Sequence, residues 1–249
     1  GIPSAGLFIS SPYDSEARYA KKHTTSWIGD KVHVTETCED DAPHVMPPVA
    51  TTAGPVAEGA VTPRIHEALA HSDLFPRTPI VETGSLDAEL LATSPRDDGV
   101  ELLGPTRPDS TWQAQAGQGV EVSHFSIDWA QHQATCLGGC PSTRWSPAVD
   151  ASGNAVVKSK FSRQDCHACP HRVHCTRAPR RTITVQCEEH DNALHAARTR
   201  ETSPEYPREY ARRAGIEGTL SEGIRAHGLR RARDIGAATP HLQHVLTAV

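Results

Sequence analysis

The sequence is poor in the residues from which large cores and membrane spans are built. Only 5% of its 249 residues are aromatic and 37% are hydrophobic, whereas it contains 19 prolines and 18 glycines. At this length we expect one large domain or two small ones, either rich in loops or depleted in core residues. Because no run of about 18 apolar residues occurs, no membrane span is expected.

The N-terminal segment lacks the features of a secretory signal. GIPSAGLFISS has no basic stretch ahead of a long apolar one, so we predict a reducing, cytoplasmic location without disulfides. The chain begins at Gly1 and its only methionine is Met46, which indicates a processed, truncated or fragmentary N-terminus.

Lysine is absent from the last third of the chain, where arginine accumulates instead. Residues 172–249 contain 13 Arg and 9 acidic residues, a balance of +4, whereas the preceding 171 residues have a balance of −9. This asymmetry predicts that the C-terminal third faces a polyanion. The preference for arginine over lysine also fits a GC-rich coding bias. This weakens the argument from the number of arginines but not the argument from their clustering.

The first part of the chain alternates between strand-like and helix-like patterns. Alternation predicts a strand over 27–37 and a weaker one over 44–52. Thr62 and Ser85 are expected to cap two helices, over 62–75 and 85–94. Short apolar runs at 77–84 and 99–105 predict two further strands. This order indicates an α/β sheet.

The middle of the chain differs in composition and is predicted to be an inserted module. Over residues 107–187, prolines, glycines, tryptophans and cysteines accumulate between the short strand-like runs HFSIDW, AVVKSKF and RTITV. Helical patterning returns over 188–249. We therefore predict three parts: 1–106 as the first part of a core, 107–187 as a cysteine-rich β module, and 188–249 as the helical remainder of that core.

Five of the seven cysteines lie between Cys136 and Cys175, inside this predicted module. Cysteines separated by two to four residues can direct both sulfur atoms inward, as in tetrahedral zinc sites. The most economical set of ligands for a structural Zn²⁺ is Cys136, Cys166, Cys169 and Cys175. Cys140 or a nearby histidine is the alternative ligand, and unligated thiols are the simpler interpretation.

Near the C-terminus, Tyr210, Arg213 and Glu217 are spaced three and four residues apart. On one helix, these intervals bring all three side chains onto the same face. The simpler interpretation is a solvated helix with an ordinary ion pair. The alternative is a catalytic carboxylate with a basic group beside it that binds phosphate.

Several stretches, in one order over nearly the whole chain, resemble DDE transposases of bacterial insertion sequences. They are most similar to the subgroup that carries a cysteine-rich insert. The matching stretches are SPYDSEARYAKK, TSWIGDKVHVTETCEDD, PIVETGSLDAELL, HFSIDW, DCHACPHRVHCTR, YARRAGIEGTLSEGIRAHGLRRAR and HLQHVLTA.

The resemblance implies a fold, a reaction and a set of site residues. The implied fold is an α/β, RNase H-like transposase core with an inserted cysteine-rich β module. Three acidic side chains would hold two divalent ions, Mg²⁺ or Mn²⁺, for DNA strand cleavage and transfer. Glu217 corresponds to the last of these carboxylates, with Tyr210 and Arg213 just before it. DNA is the implied partner, together with a homodimer, and the arginines expected to contact DNA are Arg212, Arg225, Arg230 and Arg231.

The chain departs from the family pattern at the other two carboxylates. Glu82 stands where the family has aspartate, and Ser85 where it has an aromatic residue. The first carboxylate would precede the SPYD stretch, and we interpret Asp14 as a turn residue instead. We therefore expect an N-terminally truncated transposase with impaired or absent activity. The alternatives are a DNA-binding remnant without catalysis and a stand-alone zinc-ribbon-like interaction module.

Overall fold

The computed structural model describes residues 3–39, 44–151 and 153–248 of the chain. These residues form a mixed α/β structure with small antiparallel sheets. The strands are β1 Arg18–Lys22, β2 Thr25–His33, β3 Ala50–Ala53, β4 Ser126–Asp128, β5 Gln133–Thr135, β6 Arg144–Val149, β7 Ala155–Lys160 and β8 Thr182–Gln186. The α-helices are α1 Thr62–His71, α2 Ala88–Thr93, α3 Trp112–Gln115, α4 Arg163–Ala168, α5 Arg172–Cys175, α6 Glu188–Glu201, α7 Tyr206–Ala211, α8 Ala214–Arg225 and α9 Ala238–Thr247.

The first sheet is a three-stranded antiparallel ribbon in the order β1-β2-β3. The prediction over 27–37 is confirmed in β2, although that strand ends at His33, and only the end of the weaker prediction survives as β3. Gly54, the residue after β3, packs closely against β1, since a Cβ there would lie 2.7 Å from the Cβ of Ala20. The C-terminal helix α9 contacts β3. The two ends of the chain therefore meet at this sheet.

The next segment contains the predicted helices but lacks the two predicted strands. Ile80 and Leu103 form an isolated parallel bridge, so the pairing expected from 77–84 and 99–105 is only a short ladder. Behind it, Leu86, Leu90 and Leu102 form a small buried cluster that is covered on one side by α6. This cluster gives the bridge its apolar support.

The helix caps in this segment differ from the predictions. The cap of α2 is Asp87, whose carboxylate accepts the Leu90 N–H at 2.9 Å, and Ser85 lies instead in a preceding 3₁₀ turn. Thr62 is the first residue of α1, because a 3₁₀ turn already precedes that helix, and its hydroxyl bonds the Ser85 carbonyl. Both predictions were wrong because a neighbouring turn supplied the start of the helix.

Strands β4 to β8 all lie within residues 107–187. They form a two-stranded hairpin, β4-β5, and a three-stranded antiparallel sheet, β6-β7-β8. A second buried cluster lies between them, made of Val120, Phe125, Ala134, Phe161, Ile183 and Val185. The predicted strands in HFSIDW, AVVKSKF and RTITV are confirmed as β4, β7 and β8. The three-part domain boundaries and the RNase H-like topology stay predictions.

The described C-terminal region, residues 188–248, contains the four helices α6 to α9. The predicted helix through Tyr210, Arg213 and Glu217 is wrong in one respect, because α7 ends at Ala211 and α8 begins at Ala214. Arg213 lies at the junction as the residue before α8. Within the described residues, no helix is both long and apolar enough to cross a membrane.

Candidate functional site

The candidate site lies where the start of α8 meets the loop after the Ile80–Leu103 bridge. The Arg213 guanidinium donates to Glu82 Oε1 at 3.1 Å and to Glu217 Oε1 at 3.0 Å. Residues 131 positions apart in the chain are thereby joined through one side chain. The structure thus brings together both predicted carboxylates and the predicted basic residue, with Glu82 and Glu217 about half exposed.

Tyr210 completes this group although it belongs to the preceding helix. The Arg213 guanidinium lies 5.4 Å from the centre of the Tyr210 ring, and that ring stacks on Tyr206 at 5.7 Å. Partial burial lowers the pKa of Arg213, but Tyr210, Glu217 and Glu82 outweigh it, so the pKa is raised. The guanidinium therefore stays charged and fixed between its partners.

Side-chain contacts dock α8 onto the segment that follows β2. The Thr219 hydroxyl donates to Glu36 Oε1 at 2.9 Å, and the Arg212 guanidinium donates to the Cys38 carbonyl at 2.9 Å. These contacts fix the start of α8, and with it Arg213, above the Glu82 loop. One guanidinium nitrogen of Arg212 is thus used in a structural hydrogen bond, although the side chain is exposed.

A second carboxylate–cation pair, which sequence reasoning missed, lies next to Glu82. Lys22 Nζ donates to Glu58 Oε1 at 2.8 Å, and Glu82 also acts on Lys22 through its charge. Burial opposes ionisation of Glu58, but Lys22 outweighs it and the pKa of Glu58 is lowered. No local pattern marks Glu58 or Lys22, because their contact spans 36 residues.

Gly84 is required by this arrangement. A Cβ at this position would lie 2.0 Å from Glu58 Oε2, well inside any allowed contact. The glycine after Glu82 therefore makes room for the Glu58 carboxylate. Lys22, Glu58, Glu82 and Arg213 all line one open cleft of about 1860 Å³.

Asp14 lies in a turn, as predicted. Its carboxylate accepts the backbone N–H groups of Glu16 at 2.9 Å and Ala17 at 3.2 Å, and that of Gly236 at 2.9 Å. The Gly236 bond is the largest of the effects that lower the pKa of Asp14. The first two bonds close the turn and the third ties it to the segment before α9, so Asp14 has a structural role here.

The other predicted DNA-binding arginines lie at the end of α8 and beyond it. Arg225, Arg230 and Arg231 are exposed, and none of them forms an ion pair with another described residue. Arg230 lines the same cleft as Arg213. These side chains present positive charge to solvent, as a surface that contacts phosphate requires.

Three of the four predicted zinc ligands contact the second core. Cys136, Cys166 and Cys175 pack against that core, and Cys169 is the residue after α4. Burial raises the pKa of Cys175, the charge of Arg181 lowers it, and the thiols of Cys166, Cys169 and Cys136 raise it further, so the net shift is upward. The other three thiols thus lie close enough to Cys175 to act on its charge. Within the described structure the free thiols include Cys136, Cys140, Cys166, Cys169, Cys175 and Cys187.

Among residues 3–39, 44–151 and 153–248, no group of three or more His, Cys, Asp or Glu side chains is already arranged to hold an ion. At the α8 site, Arg213 bridges Glu82 and Glu217, and no third carboxylate among the described residues forms an ion pair with it. Glu82 and Glu217 stand at two of the three carboxylate positions that the resemblance implied, and carboxylate oxygens are the donors that Mg²⁺ prefers.

The C-terminal part of the chain matches a known protein family. Residues 135–249 match the family described as "Transposase DDE domain". The matched part includes Arg213, Glu217 and the four cysteines, whereas Glu82 lies outside it. The chain is thus similar to a DDE transposase over slightly less than half of its length. No curated protein and no solved structure matches the chain.

Proposed function

We propose that this chain is a DDE-type transposase that binds DNA and whose metal-dependent strand cleavage and transfer are impaired. One observation carries the proposal: Arg213 joins Glu82 and Glu217, the residues that stand at two carboxylate positions of the resemblance. The family match of residues 135–249 supports the class independently of this geometry.

In the proposed reaction, Arg213 contacts the phosphate that is to be cleaved. A guanidinium can offer two parallel N–H donors to a phosphate, as it does here to two carboxylates. Tyr210 holds the guanidinium plane of Arg213 in place, and before DNA binds that guanidinium is hydrogen-bonded to Glu82 and Glu217. When DNA enters the cleft, the phosphate competes for Arg213, which frees both carboxylates for cation binding. Mg²⁺ or Mn²⁺, if bound there, would aim the attacking oxygen and stabilise the leaving one.

Impairment follows from the length of the Glu82 side chain. Glutamate places its carboxylate one methylene farther from the backbone than the aspartate of the family pattern. A displacement of about 1 Å in a preorganised site costs on the order of 10²-fold in rate. The absence of a third carboxylate beside Arg213 in the described structure points in the same direction.

A nicking assay on supercoiled plasmid with Mn²⁺ or Mg²⁺ tests the proposal. We expect slow cleavage by the unchanged chain, faster cleavage by Glu82→Asp, and none by Glu217→Gln. Glu222→Gln is the matched control, because Glu222 is an exposed glutamate on the same helix. If Glu217→Gln and Glu222→Gln cleave equally, Glu217 is not catalytic and the proposal fails.

The second candidate is a DNA-binding remnant without catalysis. The exposed and unpaired Arg225, Arg230 and Arg231 favour it, since contacts to phosphate alone give affinity without reading sequence. In this case DNA binding persists while no variant, including Glu82→Asp, cleaves DNA. The salt dependence of binding then measures how many phosphates the chain contacts.

Several finer features belong to this proposal. They are an RNase H-like core, an origin in a bacterial insertion sequence, a homodimer on DNA, and a cytoplasmic location. The free thiols suit a reducing compartment. Sedimentation of the chain with and without a DNA duplex tests the dimer directly.

A further inference from the structure

Three cysteine side chains from different parts of the chain pack against the second core. Cys136 follows β5, Cys166 lies in α4, and Cys175 ends α5, and all three pack against the cluster that includes Phe125 and Phe161. Cys169 joins them from the end of α4. A point beside Gly138 lies 3.8 Å from Cys136 Sγ and 3.9 Å from Cys169 Sγ. The thiols therefore converge from elements that are far apart in the chain.

Hydrogen bonds hold the backbone around these sulfur atoms. The Arg181 backbone N–H donates to Cys166 Sγ at 3.4 Å. The Cys175 carbonyl accepts both from Gln113 Nε2 at 2.9 Å and from the Arg181 guanidinium at 3.0 Å. An N–H donor to sulfur stabilises a thiolate, and fixed outer partners of this kind orient metal ligands.

Arg181 is the second, independent observation. It is 8% exposed, its guanidinium lies 5.6 Å from the Phe125 ring, and its buried Nε has no hydrogen-bond partner among the described residues. No described carboxylate lies within ion-pair distance of it, and Asp109 acts on it only at longer range. A buried guanidinium without an anion is costly, so its surroundings require negative charge.

We propose that Cys136, Cys166, Cys169 and Cys175 bind one Zn²⁺ as a tetrahedral tetrathiolate site, with Arg181 as its buried counter-charge. Four thiols lose four protons on binding, so the zinc and its four thiolates carry a net charge of −2. Arg181 offsets half of this charge in a place where water cannot. Since no three of these side chains are yet arranged for coordination, zinc draws the ends of α4 and α5 toward the loop after β5.

This proposal is independent of strand cleavage, and its test needs no DNA. The full chain is purified from zinc-supplemented cells, and its metal is measured by elemental analysis. We expect about one zinc per chain, a loss of most of it in Cys166→Ser and Cys169→Ser, and no loss in Cys187→Ser. Cys187 is the matched control, since it precedes α6 outside the cluster. A chain without zinc, or zinc that persists in both cluster variants, overturns the proposal.

The role of Arg181 is tested by zinc competition with a chromophoric chelator. We expect Arg181→Met to weaken zinc binding by about 10–100-fold, the usual effect of losing an outer partner of a metal site. Arg181→Lys should recover part of it, and Arg163→Met, which changes an exposed arginine of α4, should match the unchanged chain. Cobalt-loaded samples give a folding-independent readout, because thiolate-to-cobalt absorption reports the ligand set itself. Equal affinity of the Met variant and the unchanged chain removes Arg181 from the site.

Discussion

Replacing Arg213 by methionine tests whether this residue joins the two parts of the candidate site. The substitution keeps the apolar stem and removes contacts to Glu82 and Glu217 and the contact with the Tyr210 ring. Each ion pair is about half exposed and contributes roughly 0.2–1 kcal/mol. The ring contact adds about 0.5–1 kcal/mol. We therefore expect Arg213→Met to lower the free energy of unfolding by roughly 1–2 kcal/mol.

The assay is thermal unfolding followed by circular dichroism, at low and high salt. For a chain of this size, the expected loss lowers Tm by roughly 3–6 °C. The difference should shrink in about 1 M salt, where charges are screened over about 3 Å. Arg225→Met is the control, because Arg225 has no ion-pair partner in the described part of the chain and the change in stability should stay within about 0.5 kcal/mol. If both variants unfold at the same temperature, Arg213 does not hold Glu82 and Glu217 together.

Three further predictions concern the packing around the site and the pH dependence of stability. Gly84→Ala should displace the Glu58 carboxylate from Lys22 and lower the Tm in a thermal melt. Adding Lys22→Met to Gly84→Ala should lower the Tm no further, because the contact between Lys22 and Glu58 is already lost. Burial is the largest effect that lowers the pKa of His244. As pH falls, this histidine is therefore protonated in the unfolded chain before it is protonated in the folded one, and stability should fall below about pH 6.5. In chemical denaturation measured against pH, His244→Gln should flatten this part of the profile. The lowered pKa of Asp14 acts in the same direction at lower pH: its stabilisation is complete above about 3.9 and is lost as pH falls further. Asp14→Asn should therefore be less stable at neutral pH yet show a smaller loss of stability in acid.

Local patterns predicted those elements whose partners are near in sequence. The strand β7 and the helix α6 follow from alternation and from helical composition, and both are confirmed. The start of α2 was placed two residues early, because serine and aspartate are both good caps and the 3₁₀ turn decides between them. The sequence pattern alone does not distinguish Ser85 from Asp87 as the cap of α2.

The parts of the site that could not be predicted depend on contacts between distant residues. The contact between Lys22 and Glu58, and the room that Gly84 leaves for it, have no periodic signature. The break between α7 and α8 was also missed, although Gly215 and Gly218 weaken a continuous helix there. Arg213 nevertheless meets Glu217 and Tyr210, because a residue at the junction reaches both helices. The predicted contact was right although the single helix that it assumed was not.

The contact between Arg213 and Glu82 also constrains how the chain is related to the family that it resembles. The family match begins at residue 135, so it contains Arg213 and Glu217 but not Glu82. Folding of the matched part alone would leave Arg213 with one carboxylate partner and a gap where Glu82 lies. Because the second partner comes from the unmatched part, the candidate site exists only when both parts fold together. Activity and stability of the site should therefore be measured on the full chain, since residues 135–249 alone lack one of its two carboxylates.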